Sequence, residues 1–251
     1  MKTALIIGSG LDTIATVSEW SQIDTPFGTA TAGKAVFEDR EIWVLRRHGL
    51  DLNIPPHLIN YRANISALKK LGVSRVIATA AVGSLRPDLP PGSFAVTTDF
   101  IDFTRRRETT FYHEIDDRVH HVDMTNPYCP QISGALVKSA QEMDLQIDPS
   151  AVYICTDGPR YETPAEIRMF VNWGADVVGM TGVPEVILAR ELGICYGTLA
   201  IVTNYAAGIS QFPLSHNQVI EQIRALSVDI SEVLAGAISL LYDSAPCCSS
   251  D

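Results

Sequence analysis

Long apolar runs are missing from this sequence, and basic residues are in the minority. No stretch of about 18 apolar residues occurs anywhere, so we expect no segment that spans a membrane. The 251 residues include 29 Asp and Glu against 19 Lys and Arg, which gives a net charge of −10. So acidic a chain is a poor ligand for nucleic acid or for an anionic membrane surface, and we expect neither partner.

Cysteine is scarce, and its positions show no metal-binding spacing. The five cysteines are Cys129, Cys155, Cys195, Cys247 and Cys248. This spacing matches no zinc motif, and an odd number fits no disulfide framework. We therefore predict no metal site and a reducing, cytoplasmic location.

The two ends of the sequence have little apolar character. The run at 1–7 is too short for a signal peptide and leads directly into a glycine loop. The last residues, 246–251, are polar around the pair Cys247-Cys248. We predict a single domain over residues 1–245, followed by a disordered tail over 246–251.

The familiar nucleotide-binding loops are incomplete. Gly8-Ser9-Gly10 follows the first apolar run, but Thr13 stands where a dinucleotide-binding loop needs its third glycine. No Lys-Ser/Thr pair follows that would make a P-loop. The sequence thus predicts no nucleotide cofactor. The backbone amides of this loop and the Ser9 hydroxyl could still bind an anion, and a plain tight turn is the alternative.

What the sequence does contain is an alternation of short β-branched runs with longer helical patterns. The predicted strands are Ala4–Ile7, Ile42–Leu45, Arg75–Thr79, Phe94–Thr97, Ala151–Cys155, Asp176–Met180 and Tyr196–Val202. The predicted helices are Asn60–Leu71, Gln131–Met143, Pro164–Trp173, Val183–Leu192 and His216–Tyr242. Several strands are apolar on both faces, as buried central strands are. We predict one α/β domain with a mixed, mainly parallel sheet covered by helices.

One long polar segment interrupts this alternation. Thr104–Asn126 is charged and contains His113, His120 and His121. A loop of that length inside a compact domain is usually functional or lies at an interface. A solvated excursion without a role is the alternative.

Arg47 and His48 follow the predicted strand Ile42–Leu45. Cationic groups at the end of a buried strand are costly unless something negative lies beside them. Arg offers a planar fork for oxyanions, and His can add a donor, so we predict a phosphate site; a surface position is the alternative. At the end of the next strand, the Ala81 amide could also donate to phosphate, although close packing explains the small residues of Thr79–Ser84 equally well.

A second group of polar residues could recognise a flat heteroaromatic ring. Tyr161 offers a face for stacking, Glu162 an acceptor, and Asn204 both a donor and an acceptor. A 6-oxopurine has a hydrogen on N1 and acceptors at O6 and N7, which suits a carboxylate and an amide, whereas a 6-aminopurine lacks the N1 hydrogen. We predict a 6-oxopurine ligand. The alternatives are that Glu162 caps a helix starting near Pro164 and that Asn204 is a turn residue.

Short motifs along nearly the whole chain resemble the trimeric purine nucleoside phosphorylase and methylthioadenosine phosphorylase family. They are Asp24-Thr-Pro-Phe-Gly28, Arg47-His48, Asn60-Tyr-Arg-Ala-Asn64, Gly83-Ser84, Gly158-Pro-Arg-Tyr161, Gly174-Ala-Asp176 and Gly179-Met-Thr-Gly-Val-Pro-Glu185. So many matches in the family's order make the resemblance specific. It implies the nucleoside phosphorylase fold.

The resemblance implies phosphorolysis, in which phosphate attacks the anomeric carbon of a purine nucleoside. Inorganic phosphate would be a co-substrate, and neither a metal nor an organic cofactor would take part. The implied phosphate-binding residues are Ser9, Arg47, His48, Ala80, Ala81 and Thr181. The implied nucleoside-binding residues are Tyr161, Glu162, Met180, Asn204, Ala206, His216 and, reaching into a neighbouring subunit of a homotrimer, His121. Catalysis would fall to Asn204, His48 and Thr181.

Departures from the methylthioadenosine branch indicate the substrate. That branch has an Asp-x-Asp pattern where this sequence has Asn204-Tyr205-Ala206, and a small Ser where this sequence has Glu162. Both changes favour a 6-oxopurine. His216 stands near the position of the 5′ substituent and could bind a hydroxyl, so inosine or guanosine and methylthioinosine are all candidate substrates.

Three other functions stand as alternatives. A methylthioadenosine phosphorylase would share the fold and the phosphate residues. A nucleoside hydrolase would need a metal-binding aspartate cluster near the N-terminus, and only Asp12 lies near the glycine loop. A non-catalytic nucleoside-binding protein would have no need of the phosphate residues.

Overall fold

The computed structural model describes residues 2–11, 14–37, 40–51, 53–112, 120–210, 215–242, 244–245 and 247–248. Within these residues the chain forms nine strands and six α-helices. The strands are β1 (Lys2–Ile7), β2 (Val17–Thr25), β3 (Gly28–Phe37), β4 (Arg40–Arg46), β5 (Val73–Ser84), β6 (Phe94–Asp102), β7 (Ile147–Cys155), β8 (Val177–Gly179) and β9 (Cys195–Tyr205). The helices are α1 (Tyr61–Lys70), α2 (Pro130–Glu142), α3 (Pro164–Asn172), α4 (Gly182–Glu191), α5 (His216–Ala225) and α6 (Ser227–Leu241).

All nine described strands belong to one mixed sheet. Its order is β2-β3-β4-β1-β5-β8-β7-β6-β9, and β9 also pairs with β5, so the last five strands close into a ring. The parallel pairs are β1–β4, β1–β5, β5–β9, β6–β7 and β7–β8. The remaining pairs, β2–β3, β3–β4, β5–β8 and β6–β9, are antiparallel. The prediction of a mixed α/β sheet with more parallel than antiparallel pairing is confirmed.

The core lies on both faces of this sheet. Strand β1 shows the arrangement, because Leu5 and Ile7 pack towards α2, α5 and α6 while Ala4 and Ile6 pack towards α1 and α4. All four side chains are buried. A strand covered on both faces reads as a continuous apolar run, which explains why the central strands could be recognised in the sequence.

Two parts of the fold differ from the sequence-based prediction. The hairpin of β2 and β3, joined at Thr25 and Gly28, was missed. Strand β2 is only partly buried along its length, so it lacks the apolar run that marked the central strands. The single helix predicted over His216–Tyr242 is two helices, because the backbone leaves helical geometry at Leu226 (φ −93°, ψ 5°). No glycine or proline marks that break, so the sequence pattern runs through it.

Two residues of the C-terminal segment, Cys247 and Cys248, belong to the described part of the chain. Cys248 packs against the core, and its N–H donates to Cys195 Sγ at 3.3 Å. Cys247 is exposed, and its Sγ lies 3.3 Å from Cys129 Sγ. Residues 246 and 249–251 lie outside the described residues. Among the helices that are described, none is both long enough and apolar enough to cross a membrane.

Candidate functional site

An open cavity lies where the parallel strands β1, β4, β5 and β9 end. Its empty volume is about 770 Å³ including the solvent-filled mouth, which is within the range of small-molecule sites. The predicted residues that line it are Ser9, Arg47, His48, Ala81, Tyr161, Glu162, Met180, Thr181, Asn204, Ala206 and His216. The parallel topology brings them together, because the carboxyl ends of parallel strands lie at one edge of the sheet.

Two predicted site residues lie elsewhere in this chain. Ala80 packs into the core on the face with α1 and α4, since side chains alternate along β5 and Ala81 takes the cavity side. His121 is exposed, and the cavity lining among the described residues does not include it. His113 falls outside the described residues.

Arg47 forms a buried ion pair with Glu185, a residue quoted in a motif above but given no role there. Its Nε and Nη2 donate to the two carboxylate oxygens of Glu185, each at 2.8 Å, and Nη1 donates to the Thr79 carbonyl at 2.8 Å. Tyr196 Oη also donates to Glu185 at 2.8 Å. Burial alone would lower the pKa of Arg47, but the charge and hydrogen bonds of Glu185 raise it above its usual value.

This ion pair changes the interpretation of why Arg47 is buried. A negative partner for Arg47 was expected, but the one beside it is Glu185, so the burial of Arg47 is not by itself a sign of phosphate. Nη1 and Nη2 each carry a second N–H that a ligand in the cavity can accept. Glu185 thus fixes the direction of the guanidinium that lines the cavity.

His48 lines the cavity with its ring fixed by a backbone contact. Its Nδ1 lies 2.8 Å from the Ile54 carbonyl oxygen, and since a carbonyl only accepts, Nδ1 carries the proton. Burial, followed by the charge of Arg47, lowers the pKa of His48. With the proton on Nδ1, the neutral ring leaves Nε2 as an acceptor. A protonated phosphate oxygen fits that acceptor.

Thr181 is the residue before the first turn of α4, and its hydroxyl makes no capping hydrogen bond to the described residues of that helix. The backbone N–H groups of Thr181 and Gly182 instead donate to Tyr153 Oη, at 3.1 and 3.3 Å. Tyr153 therefore uses the amides that would otherwise bind an anion at a helix start. What Thr181 offers the cavity is its side-chain hydroxyl.

Glu162 is a buried carboxylate held by one hydroxyl. Its side chain accepts from Thr156 Oγ1 at 2.7 Å, and the residue is 8% exposed. Burial raises its pKa above the usual value, opposed by the Thr156 hydrogen bond. Thr163 and Glu166 form the reciprocal cap of α3. The cap belongs to those two residues, so the alternative role of Glu162 as the helix cap is wrong.

Asn204 has its amide oriented by its neighbours. Thr203 Oγ1 donates to Asn204 Oδ1 at 2.8 Å, and Asn204 Nδ2 donates to the Tyr205 carbonyl at 2.9 Å. The second hydrogen on Nδ2 is then available to a ligand. A Cβ at position 83 would lie 3.2 Å from Asn204 Nδ2, which explains why the adjacent strand has Gly83 there.

Arg107 is a supporting residue that sequence reasoning missed. It extends from the long polar segment, and its side chain is 3% exposed. Its guanidinium donates to the backbone carbonyls of Met180 (2.6 Å), Asp157 (3.0 Å) and Thr156 (3.2 Å), and also to that of Val183. The run Arg105-Arg106-Arg107 reads as an ordinary exposed basic stretch, so no local signal distinguished its third member. Through Arg107, the long polar segment therefore holds the backbone that forms one wall of the cavity.

Comparison with known proteins gives consistent similarities. Residues 2–239 match the family described as the phosphorylase superfamily. A 6-oxopurine nucleoside phosphorylase of Pyrococcus furiosus is 48% identical over 246 residues, covering 96% of this chain and 93% of the relative. A probable S-methyl-5′-thioinosine phosphorylase of Methanocaldococcus jannaschii is 47% identical over 247 residues, covering 98% and 96%. A solved methylthioadenosine phosphorylase from Schistosoma mansoni, in complex with adenine, has a TM-score of 0.92 at 34% identity, covering 98% of this chain and 93% of that chain.

Proposed function

The chain belongs to the phosphorylase superfamily, and on that premise we propose that it is a purine nucleoside phosphorylase acting on 6-oxopurine nucleosides. Phosphate replaces the base at the anomeric carbon, giving free purine and ribose 1-phosphate or its 5-methylthio form. The observation that carries the proposal is that Glu162 and Asn204 line the same cavity as Arg47, His48 and Thr181. An acceptor and a donor suited to a purine thus line the same cavity as three residues suited to an oxyanion.

In this proposal the protein binds phosphate through several hydrogen-bond donors and one acceptor. Arg47 and the hydroxyls of Ser9 and Thr181 donate to its oxygens, with the Ala81 amide. His48 Nε2 accepts the hydrogen of a protonated oxygen. A phosphate oxygen then forms the bond to C1′ as the C1′–N9 bond breaks, so positioning supplies much of the rate.

The departing base takes the electron pair of the broken bond and becomes negative. Asn204 Nδ2 donates to N7 as this charge develops, which stabilises the transition state more than the ground state. Glu162, in its ionised form, accepts from N1–H and selects 6-oxopurines. Tyr161 stacks on the base, and Met180 lies under the ribose.

The assembly and setting belong to the same proposal. We expect a homotrimer in which His121 reaches a neighbouring subunit's cavity, because His121 is exposed and lies outside the cavity of its own chain. We expect a cytoplasmic location and a role in purine salvage. The chemistry needs inorganic phosphate and calls for no organic cofactor.

Methylthioadenosine phosphorylase is the second candidate function, because the solved relative described above is one. Asn204 and Glu162 distinguish the two candidates. The amide donates to N7 of either base, but a carboxylate facing N1 finds a hydrogen only in a 6-oxopurine. A 6-aminopurine would leave Glu162 buried without a donor from the base, at a cost of about 1–3 kcal/mol or more for a charged group.

The test measures base release from inosine, methylthioinosine, adenosine and methylthioadenosine, each with and without phosphate. We expect release from the two 6-oxopurine nucleosides only when phosphate is present, with arsenate as a working substitute. Turnover without phosphate would indicate a hydrolase. Release from the two 6-aminopurine nucleosides instead would establish the second candidate and overturn the assigned role of Glu162. The ratio of inosine to methylthioinosine turnover measures what His216 prefers at the 5′ position.

A further inference from the structure

Four of the five cysteines meet at one place far from the cavity. The Sγ atoms of Cys129, Cys195, Cys247 and Cys248 all lie within 4.8 Å of one another. They come from three separate segments: Cys129 precedes the first residue of α2, Cys195 begins β9, and the adjacent pair belongs to the C-terminal segment. The fifth, Cys155, is the last residue of β7.

The spacing of these sulfur atoms suits a single tetrahedral cation. Cys129 Sγ lies 3.3 Å from Cys247 Sγ, which lies 3.5 Å from Cys248 Sγ. Zinc binds four thiolates at about 2.3 Å, which places neighbouring sulfurs about 3.8 Å apart. We propose that Cys129, Cys195, Cys247 and Cys248 form a structural zinc site that fastens the C-terminal segment to the core.

The surroundings supply positive charge for such a site. Four thiolates and one Zn²⁺ carry a net charge of −2. Arg75 is the parallel partner of Cys195 in the β5–β9 ladder, so both side chains lie on one face of the sheet. Arg75 is 1% exposed, and its Nε has no hydrogen-bond partner among the described residues. Cys129, at the amino end of α2, also benefits from the positive end of the helix dipole.

The geometry of the chain end is held independently of any metal. Arg75 donates to the Leu241 carbonyl at 2.8 Å and to the Ser244 carbonyl and hydroxyl at 3.1 and 3.0 Å. These bonds turn the chain back after α6, so the residues that follow return to the sheet. The Cys248 N–H then donates to Cys195 Sγ, a contact that orients a metal-bound thiolate as outer partners do. Zinc would close an arrangement that is already largely formed.

Metal content of the full chain tests the proposal directly. The protein is purified under reducing conditions, incubated with zinc, dialysed, and analysed for zinc by mass spectrometry. We expect one zinc per chain in the natural sequence and none in the double variant Cys247→Ser/Cys248→Ser. Both positions are in the C-terminal segment, so the variant is expected to fold. Cys155→Ser is the matched control, because it removes a buried cysteine outside the group and should keep one zinc.

Cobalt replaces zinc in a second measurement. Visible absorption of the cobalt protein reports tetrahedral thiolate coordination, and we expect this spectrum from the natural chain and from Cys155→Ser but not from the double variant. The proposal is overturned if the reduced natural chain retains no zinc. It is also overturned if mass analysis of the reductant-treated protein finds the four sulfurs joined as disulfides, or if the double variant retains zinc.

Discussion

The two ends of strand β9 differ in how much the sequence could say about them. Asn204 lies near the carboxyl end and faces the cavity, whereas Cys195 begins the strand and joins the cysteine group. At about 3.3 Å per residue, the two are separated by about 30 Å. The cavity end carries motifs that could be recognised one by one. The cysteine end carries single residues from separate segments, and they can be recognised as a group only in the folded structure.

The first prediction addresses the support of the cavity end and has the largest expected effect. Glu185→Gln removes the charge that faces Arg47 and leaves a buried guanidinium without its counterion. We expect a loss of about 3–5 kcal/mol in the free energy of unfolding, measured by urea denaturation. Glu142→Gln is the control, because the Lys138–Glu142 pair is 60% exposed on both sides and should contribute at most about 0.5 kcal/mol. Equal losses in the two variants would contradict the role given to Glu185.

The second prediction changes base recognition at the same end of β9. Asn204→Asp replaces the Nδ2 donor by a carboxylate, so kcat/KM for inosine should fall about 100-fold or more, as for the loss of one transition-state donor. Adenosine turnover should rise, because a 6-amino group can donate to the new carboxylate. Tyr205→Phe is the control, since the Tyr205 hydroxyl donates to the exposed Pro87 carbonyl and should change kcat/KM less than twofold. Full inosine turnover with no gain on adenosine would refute the assignment of Asn204.

The third prediction tests whether the opposite end of β9 is independent of the cavity. With zinc at about 100 times its dissociation constant, metal binding adds about 2.7 kcal/mol, so a chelator should lower the Tm by about 5–10 °C. The Cys247→Ser/Cys248→Ser variant should show no such shift. Because about 30 Å separates the two ends, kcat/KM at 25 °C should stay within twofold on chelation. A parallel loss of activity and zinc would show that the two ends are coupled.

The fourth prediction has the smallest effect and concerns pH. Hypoxanthine needs ionised Glu162 to accept its N1 hydrogen, and burial raises the pKa of this carboxyl. Its affinity should therefore weaken as pH falls through the raised pKa, approaching about tenfold per pH unit. Glu162→Gln should bind less tightly with no such dependence. Titration calorimetry at several pH values measures both.

Glu162 should also affect stability with the opposite sign. A carboxyl whose pKa is higher in the folded state holds its proton more tightly there. Its contribution is complete below the ordinary Glu pKa and is lost as pH rises through the raised value. The free energy of unfolding without ligand should thus fall over that window in the natural chain, more than in Glu162→Gln. A rise instead would mean that the pKa of Glu162 is lowered.

Features encoded by neighbouring residues could be predicted from the sequence, whereas contacts between distant segments could not. Central strands are continuous apolar runs, and strand-end motifs such as Arg47-His48 are contiguous, so the sheet and most of the cavity could be predicted. Glu185 and Arg107 act through contacts between segments distant in the chain, and their neighbours in sequence give no sign of it. The cysteines were judged by linear spacing, which detects only sites built from neighbouring residues. The hairpin of β2 and β3 escaped because β2 mixes polar and apolar residues and none of its residues is fully buried.

The closed ring of strands leaves the sheet with little unpaired backbone. Since β9 bonds to both β6 and β5, β2 is the one strand, among those described, with a single neighbour. An open edge can recruit another chain and start aggregation, and charged side chains discourage this. Glu19 and Asp24 are exposed along β2, so these two carboxylates oppose the pairing of this open edge with another chain.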